Sequence, residues 1–167
     1  MEAARKAAPE VETLCLTLAY TGARISEVLA LTPASIDPGE QAIIIESLKK
    51  RARGIYRAVP VPHELIARLG EVHSSSNSDG NPRKRLWCWG RTKAWAAVKE
   101  IMSEAEIAPA LSMPKALRHG FGVAGVADAG VPLNMMQKWL GHAKIETTAI
   151  YANAMGREER IIAKRMW

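Results

Sequence analysis

The sequence predicts an α+β domain, mostly helical, with a small antiparallel sheet in its first half. Three observations carry this expectation. Apolar residues recur at helical spacing through most of the chain. Two β-branched runs, 41–47 and 55–61, break that pattern. Glycine or proline punctuates nearly every boundary between them. The length of 167 residues suits one domain.

Each element follows from local sequence. Residues 10–20 place Val11, Leu14 and Leu18 on one helix face, and Gly22 is the stop signal. Residues 23–31 read as a second helix carrying Ile25, Val28 and Leu29, ended by Pro33 and the Asp37-Pro38-Gly39 cluster. QAIIIES (41–47) and IYRAVPV (55–61) read as the two strands of a hairpin, with an edge-type Pro60. Pro62 opens a helix over 62–72, and SSSNSDGNPR (74–83) is a loop. RLWCWG (85–90) is apolar and suits a short strand. Helices are expected over 92–107, with Trp95, Val98, Ile101 and Met102 on one face, and over 113–130, 131–142, 146–154 and 157–167. Phe121, Met135, Met136, Trp139 and Leu140 are expected in the core. No internal repeat or linker divides the chain.

Composition narrows the class. Hydrophobic residues at 48% and charged residues at 24% exclude a disordered tail, a collagen-like fibre and a coiled-coil rod. No apolar run reaches membrane-spanning length, and the start MEAARKAAPEVE lacks the apolar core of a secretory signal. Cys15 and Cys88 lie far apart, without metal-ligand spacing, so neither a disulfide scaffold nor a structural zinc is expected and a cytoplasmic location is the default. The net charge is +6. It concentrates in two acid-free runs: 49–57, with Lys49, Lys50, Arg51, Arg53 and Arg57, and 83–93, with Arg83, Lys84, Arg85, Arg91 and Lys93. One such run reads as a solvated loop; two in a small domain favour contacts with phosphates.

Three segments carry specific chemistry: TGARISEVLAL (21–31), KALRHGFGVA (115–124) and WLGHAKIETTAIYANA (139–154). Singly, each has an ordinary reading: Arg24 as a surface arginine, His142 as a residue answering a helix dipole, Tyr151 as an amphipathic core residue. In this order and at these separations they resemble the tyrosine recombinase/phage integrase family. That family's pattern has an Arg in a G-x-R-x-x-E helix start, a Lys in a β-hairpin, an H/K-x-x-R box, an L-G-H turn and a later Tyr. Here these are Arg24, Lys49 or Lys50, Lys115 with Arg118, His142, and Tyr151 nine residues beyond that histidine. The resemblance covers roughly residues 10–160.

The resemblance implies the tyrosine recombinase catalytic-domain fold, with a three-stranded antiparallel sheet. It implies site-specific recombination of double-stranded DNA through a covalent 3′-phosphotyrosine, with Tyr151 as nucleophile. The chemistry suits these residues. A tyrosyl phosphodiester conserves bond energy, so strands rejoin without ATP. Guanidinium forks, Arg24 and Arg118, match the phosphate oxygens of the transition state. His142 is a further donor, and a hairpin lysine can protonate the departing 5′-oxygen. No cofactor or metal is implied. Glu27 is expected to orient an arginine or cap a helix.

Two positions depart from the family pattern. Lys115 stands where the box usually has histidine, which trades a titratable imidazole for a phosphate contact. His119, one position after Arg118, can share a helix face with Lys115. In the family the hairpin lysine lies about eight residues before the strand proline, but that count from Pro60 reaches Ala52. Strand parity favours Lys50; similarity of the S-L-K stretch favours Lys49. The resemblance further implies a tetramer on synapsed sites, a monomer without DNA, and association with the bacterial nucleoid when DNA is bound. Residues 157–167 are the candidate exchange helix between subunits. The family's N-terminal DNA-clamping domain has no counterpart before residue 10, so 1–167 is expected to be one catalytic domain, as a fragment or truncated member. A catalytically inactive DNA-binding module and a type IB topoisomerase-like enzyme are the rival readings.

Overall fold

The computed structural model describes residues 1–48, 54–74, 81 and 83–152. A central helix, α2 (Pro9–Thr21), is flanked by the short α1 (Glu2–Arg5) and by α4 (His63–Ser74), α5 (Arg91–Glu104) and α6 (Pro114–Val123). Leu14 and Leu18 of α2 are fully buried at the middle of the main core, with Val28, Ile43, Ile45, Val59, Leu69 and Val98 around them. Gly22 ends α2 in the left-handed region at φ 58°, where its N–H caps the Leu18 carbonyl. A side chain there would run into the Phe121 ring, so the glycine also admits α6 against α2.

The second helix is shorter than its sequence suggests. α3 spans only Ile25–Val28, and the backbone then tightens, with Ala30 and Leu31 bonding back three residues. Thr32 is extended ahead of Pro33, as proline demands. A 3-10 turn (Pro33–Ser35) leads into the sheet.

The sheet has order β1-β2-β3, all antiparallel: β1 (Ile36–Asp37), β2 (Ala42–Glu46) and β3 (Tyr56–Pro60). The two long strands are those expected. β1 lacks a sequence signature because it has two residues and ends in the Asp37-Pro38-Gly39 turn. Ile43 pairs with Val59 and Ile45 with Arg57, so Arg57 lies on the inward face. Residues 85–90 form no strand: one backbone bond, Leu86 N–H to the Leu31 carbonyl, is no ladder. Their apolar character is spent in the core, where Trp87 is buried and its indole N–H donates to the Glu10 carbonyl.

The expected long helix over 113–130 is α6 followed by a π turn (Ala124–Asp128). With α7 (Leu133–Leu140) and α8 (Glu146–Ala152) it encloses a second, smaller core of Val126, Met136, Leu140 and Tyr151. Phe121 and Trp139 touch both cores and join them. One core expectation fails: Met135 is 43% exposed because it lies on the outer face of α7. Trp95, placed on the same helix face as Val98 and Met102, is 39% exposed on α5. The expected helix over 157–167, and Lys49 and Lys50, lie outside the described residues. Among the described residues no helix is long and apolar enough to cross a membrane.

Candidate functional site

Five of the expected site residues line one cleft of about 480 Å³: Arg24, Lys115, Arg118, His142 and Tyr151. Ends of elements deliver all of them. Arg24 is the N-cap of α3; Lys115 and Arg118 lie in the first turns of α6; His142 follows the α7 cap; Tyr151 sits in α8. Arg91, Trp95, His119 and Ile150 are also among the lining residues.

Arg24 is anchored within its own turn. Glu27 Oε1 accepts from Arg24 Nη1 at 2.9 Å, and Glu27 Oε2 accepts from the Arg24 backbone N–H at 3.0 Å. The expected role of Glu27 therefore holds in both forms, orienting the arginine and capping the helix. Burial works to raise the Glu27 pKa, but hydrogen bonds from Arg57 and Arg24 and their charges outweigh it and hold it below the usual carboxylate range.

Arg118 is held differently. Its Nη1 donates to the Gly22 carbonyl and its Nη2 to the Leu140 carbonyl, both at 2.7 Å. These acceptors are orphan carbonyls at the ends of α2 and α7. They fix the guanidinium without cancelling its charge. Burial, then repulsion from Arg24, lowers the Arg118 pKa to about 10, so it stays cationic at neutral pH.

His142 follows Gly141, which caps α7 at φ 68°. Its Nδ1 lies 2.9 Å from Thr148 Oγ1 on α8. Burial first, then the charges of Arg118, Arg24 and Arg57, depress its pKa to about 4. The ring is therefore neutral at physiological pH. When the Thr148 hydroxyl donates to Nδ1, Nε2 carries the proton as a donor.

Tyr151 is only 4% exposed, and its ring packs in the second core. It stacks with His142 at 6.4 Å between centroids and tilts against His119 at 5.4 Å. The far end of the ring lies over Gly122, where an added Cβ would come within 2.5–2.7 Å of three ring atoms. Burial raises the phenol pKa, and the Arg118 charge partly offsets that.

A cleft lined by two anchored guanidinia, a neutral imidazole and a phenol gathers positive charge and hydrogen-bond donors suited to an oxyanion. The phage integrase family profile matches residues 1–157. The chain belongs to the phage integrase family. It is 31% identical over 143 residues to tyrosine recombinase XerD of Mycobacterium tuberculosis, covering 81% of this chain and 45% of that protein. It is 34% identical over 144 residues to XerD of Shewanella oneidensis, covering 83% and 47%. Among solved structures it superposes on XerA recombinase with TM-score 0.73 and 26% identity, covering 90% of this chain and 55% of that one. The catalytic domain of bacteriophage HP1 integrase gives 0.64 and 26%, covering 85% and 73%. The chain thus spans about half the length of the curated relatives it matches.

For this integrase-family chain the expected catalytic-domain fold is the fold observed, and the structure brings its sequence-separated motifs to one cleft. It also contains partners that the motifs did not announce. Thr148, fully buried, orients His142. Arg57, read from sequence as part of a basic run that favours phosphate contacts, is 6% exposed and bonded on all three guanidinium nitrogens. Its signal was present: Arg57 stands two residues before Val59, on the inward parity of the strand.

Proposed function

We propose that this chain is the catalytic domain of a site-specific tyrosine recombinase that cleaves and rejoins double-stranded DNA through a covalent phosphotyrosine. The observation that carries the reading is the convergence of Arg24, Lys115, Arg118, His142 and Tyr151 on one cleft. Arg24 and Arg118 clamp the non-bridging oxygens of the scissile phosphate. His142 donates a further hydrogen bond through Nε2, and Lys115 contributes a phosphate contact. The Tyr151 oxygen attacks phosphorus and the bond to the 5′-oxygen breaks, leaving a 3′-phosphotyrosine and a free 5′-hydroxyl. The phenol proton must leave as the new bond forms, and the His119 imidazole beside the ring is placed to receive it. The departing oxygen takes a proton from Lys49 or Lys50. The reverse steps join the strand to a new 5′-hydroxyl, with no net loss of phosphodiester bonds.

The basic balance of +6 supports a DNA partner. The XerH recombinase structure with TM-score 0.79 holds a palindromic difH substrate after cleavage. At 22% identity it supports the fold alone. We extend the reading to assembly: a monomer when free and a tetramer on paired sites, with residues 157–167 seated on a neighbouring subunit. An apolar cavity of about 760 Å³, bounded by Tyr20, Leu117, Phe121, Val131 and Trp139, suits the apolar side of that segment. A stable tetramer without DNA in light scattering would contradict it.

The chemical reading is tested by covalent capture. A pool of nicked duplexes with randomised central sequence is incubated with the chain in EDTA, and protein-linked DNA is recovered after denaturation. The nucleotide-bearing peptide should contain Tyr151, and Tyr151→Phe should bind DNA yet capture none. Adduct formation by Tyr151→Phe, or no adduct with the parent chain, would overturn the reading.

A further inference from the structure

We infer that Arg57 is a positioning residue that sets the geometry of Arg24 and His142 from one buried guanidinium. The inference rests on the recombinase reading above and goes beyond its motif residues. Arg57 touches no part of the cleft that receives phosphate; it acts through others.

The wiring is explicit. Arg57 Nη2 donates to Glu27 Oε2 at 2.7 Å, and the same carboxylate holds Arg24 through Oε1. Arg57 Nε donates to the Trp139 carbonyl at 2.7 Å, in the last turn of α7, three residues before His142. Arg57 Nη1 donates to Ser47 Oγ at 3.0 Å, at the end of β2 that leads toward Lys49 and Lys50. The Arg57 and Glu27 side chains are 5% and 0% exposed, so water replaces none of these bonds. The turn before His142 closes directly on this group. A Cβ on Gly141 would lie 3.0 Å from Arg57 Nη1 and 3.1 Å from Cζ.

The choice of arginine follows from this geometry. Three acceptors approach from three elements, and a planar fork satisfies them together. An ammonium is a point charge on a flexible stem and cannot hold that planar arrangement. A purely stabilising contact in this position could be apolar, since a buried ion pair is a poor source of stability. What the ionic network supplies is fixed angles between α3, the sheet and the α7 turn. Those are the elements whose ends carry Arg24, the lysine-bearing segment and His142.

The test uses Arg57→Lys and the milder Ser47→Ala, which removes only one of the three bonds. In isotope-labelled full chain, NMR follows the Arg24 side-chain N–H and the His142 ring, with buried His73 on α4 as the distant reference. Both variants should move the Arg24 and His142 signals and leave His73 in place. A loss of global stability alone would move none of them in the folded state. Unmoved Arg24 and His142 signals in Arg57→Lys overturn the inference, whatever the chain does to DNA. Should Arg57→Lys not fold, the same reading of Ser47→Ala decides it.

Cleavage adds a second readout. In single-turnover capture of nicked DNA from the pool above, Arg57→Lys should be about 10²-fold slower, on the scale of an ångström of misplacement, with DNA affinity within about threefold of parent. A 5′-bridging sulfur leaves without protonation and rescues loss of a general acid. It should not rescue Arg57→Lys, because Arg24 and His142 meet the non-bridging oxygens. Full rescue would mean that Arg57 acts through the hairpin lysine and would overturn the assignment to Arg24 and His142. A parent chain that captures no DNA would sink the recombinase reading, while the NMR shifts still decide whether Arg57 positions these two residues.

Discussion

Glu27→Gln isolates how much of the site depends on a single carboxylate. Glu27 is 1% exposed and takes three hydrogen bonds. Oε2 accepts from the Arg24 backbone N–H at 3.0 Å and from Arg57 Nη2 at 2.7 Å; Oε1 accepts from Arg24 Nη1 at 2.9 Å. Glutamine offers one acceptor and one donor in the same shape. Placing its oxygen at Oε2 keeps two bonds and sets its NH₂ against Arg24 Nη1, donor to donor. The opposite orientation loses two bonds, so the first should prevail and the Arg24 guanidinium is freed. Removing one charge of a buried pair costs about 3–5 kcal/mol of stability. Losing a preorganised transition-state donor costs about 10²–10³ in rate. Urea denaturation should therefore show the stability loss. Single-turnover capture of nicked DNA, under conditions where the variant remains folded, should show most of the Arg24→Ala defect. In the double variant the two cleavage losses should not multiply, since both act through the same guanidinium. Parental stability, or losses that multiply in full, would refute the claim that Glu27 works by holding Arg24.

Gly22→Ala should destabilise by about 2–5 kcal/mol, from left-handed backbone strain of about 1–2 kcal/mol and overpacking of about 1–3 kcal/mol against Phe121. Thermal melting should show it, and a parental melting temperature would contradict the packing described. Acid should weaken the fold in two stages. His142 and His73 bind protons less readily folded than at their ordinary value of 6.5, so stability is full above about 6.5 and falls as pH drops toward about 4, where folded His142 also protonates. Glu27, held below its ordinary 4.5, adds a loss that begins as pH falls through that value. Melting temperatures that stay flat from pH 6.5 to 5 would rule out the first stage. Binding of a short duplex should raise the His142 pKa, because an anion offsets the arginine charges that depress it. An NMR titration of the ring with and without DNA measures this, and an unchanged value would place the phosphate elsewhere.

The helices that carry the site were legible because each has its own signature. The stop at Gly22, the proline opening α6 and the L-G-H turn are local chemistry, and the residues of the candidate site sit beside them. What was not legible is what distant segments do to one another. α3 ends after four residues because the chain must turn toward the sheet at Pro33, although 23–31 has a helical period throughout. The apolar run 85–90 is recruited to the core without forming a ladder: Leu86 and Trp87 are buried, and the Leu86 N–H bonds to the Leu31 carbonyl, outside any strand. Met135 and Met136 are neighbours in sequence, yet only the second faces inward; a helix admits one of two adjacent residues to a given face. Arg57 is the instructive miss. Its basic run argued for solvent or phosphate and its strand parity for the interior, and the parity prevailed because Glu27, Ser47 and the Trp139 carbonyl offer acceptors there.

Arg24 and Arg118 are positioned by different chemistry. Arg24 is held by a carboxylate, which also cancels charge. Arg118 is held by the carbonyls of Gly22 and Leu140, which orient a guanidinium through their dipoles and leave its charge whole. A second buried carboxylate beside Arg118 would have eased the repulsion from Arg24 and Arg57, and would also have occupied the geometry a phosphate needs. The depressed pKa values of Arg118 and His142 have the same causes, burial first and then the positive charge gathered in the partly desolvated cleft. That arrangement costs stability in the free chain. In the proposed reaction the cost is relieved when a phosphodiester enters, and most when negative charge grows on its oxygens in the transition state. The fold therefore uses helix-end carbonyls, which need donors in any case, to hold a guanidinium that makes no ion pair among the described residues.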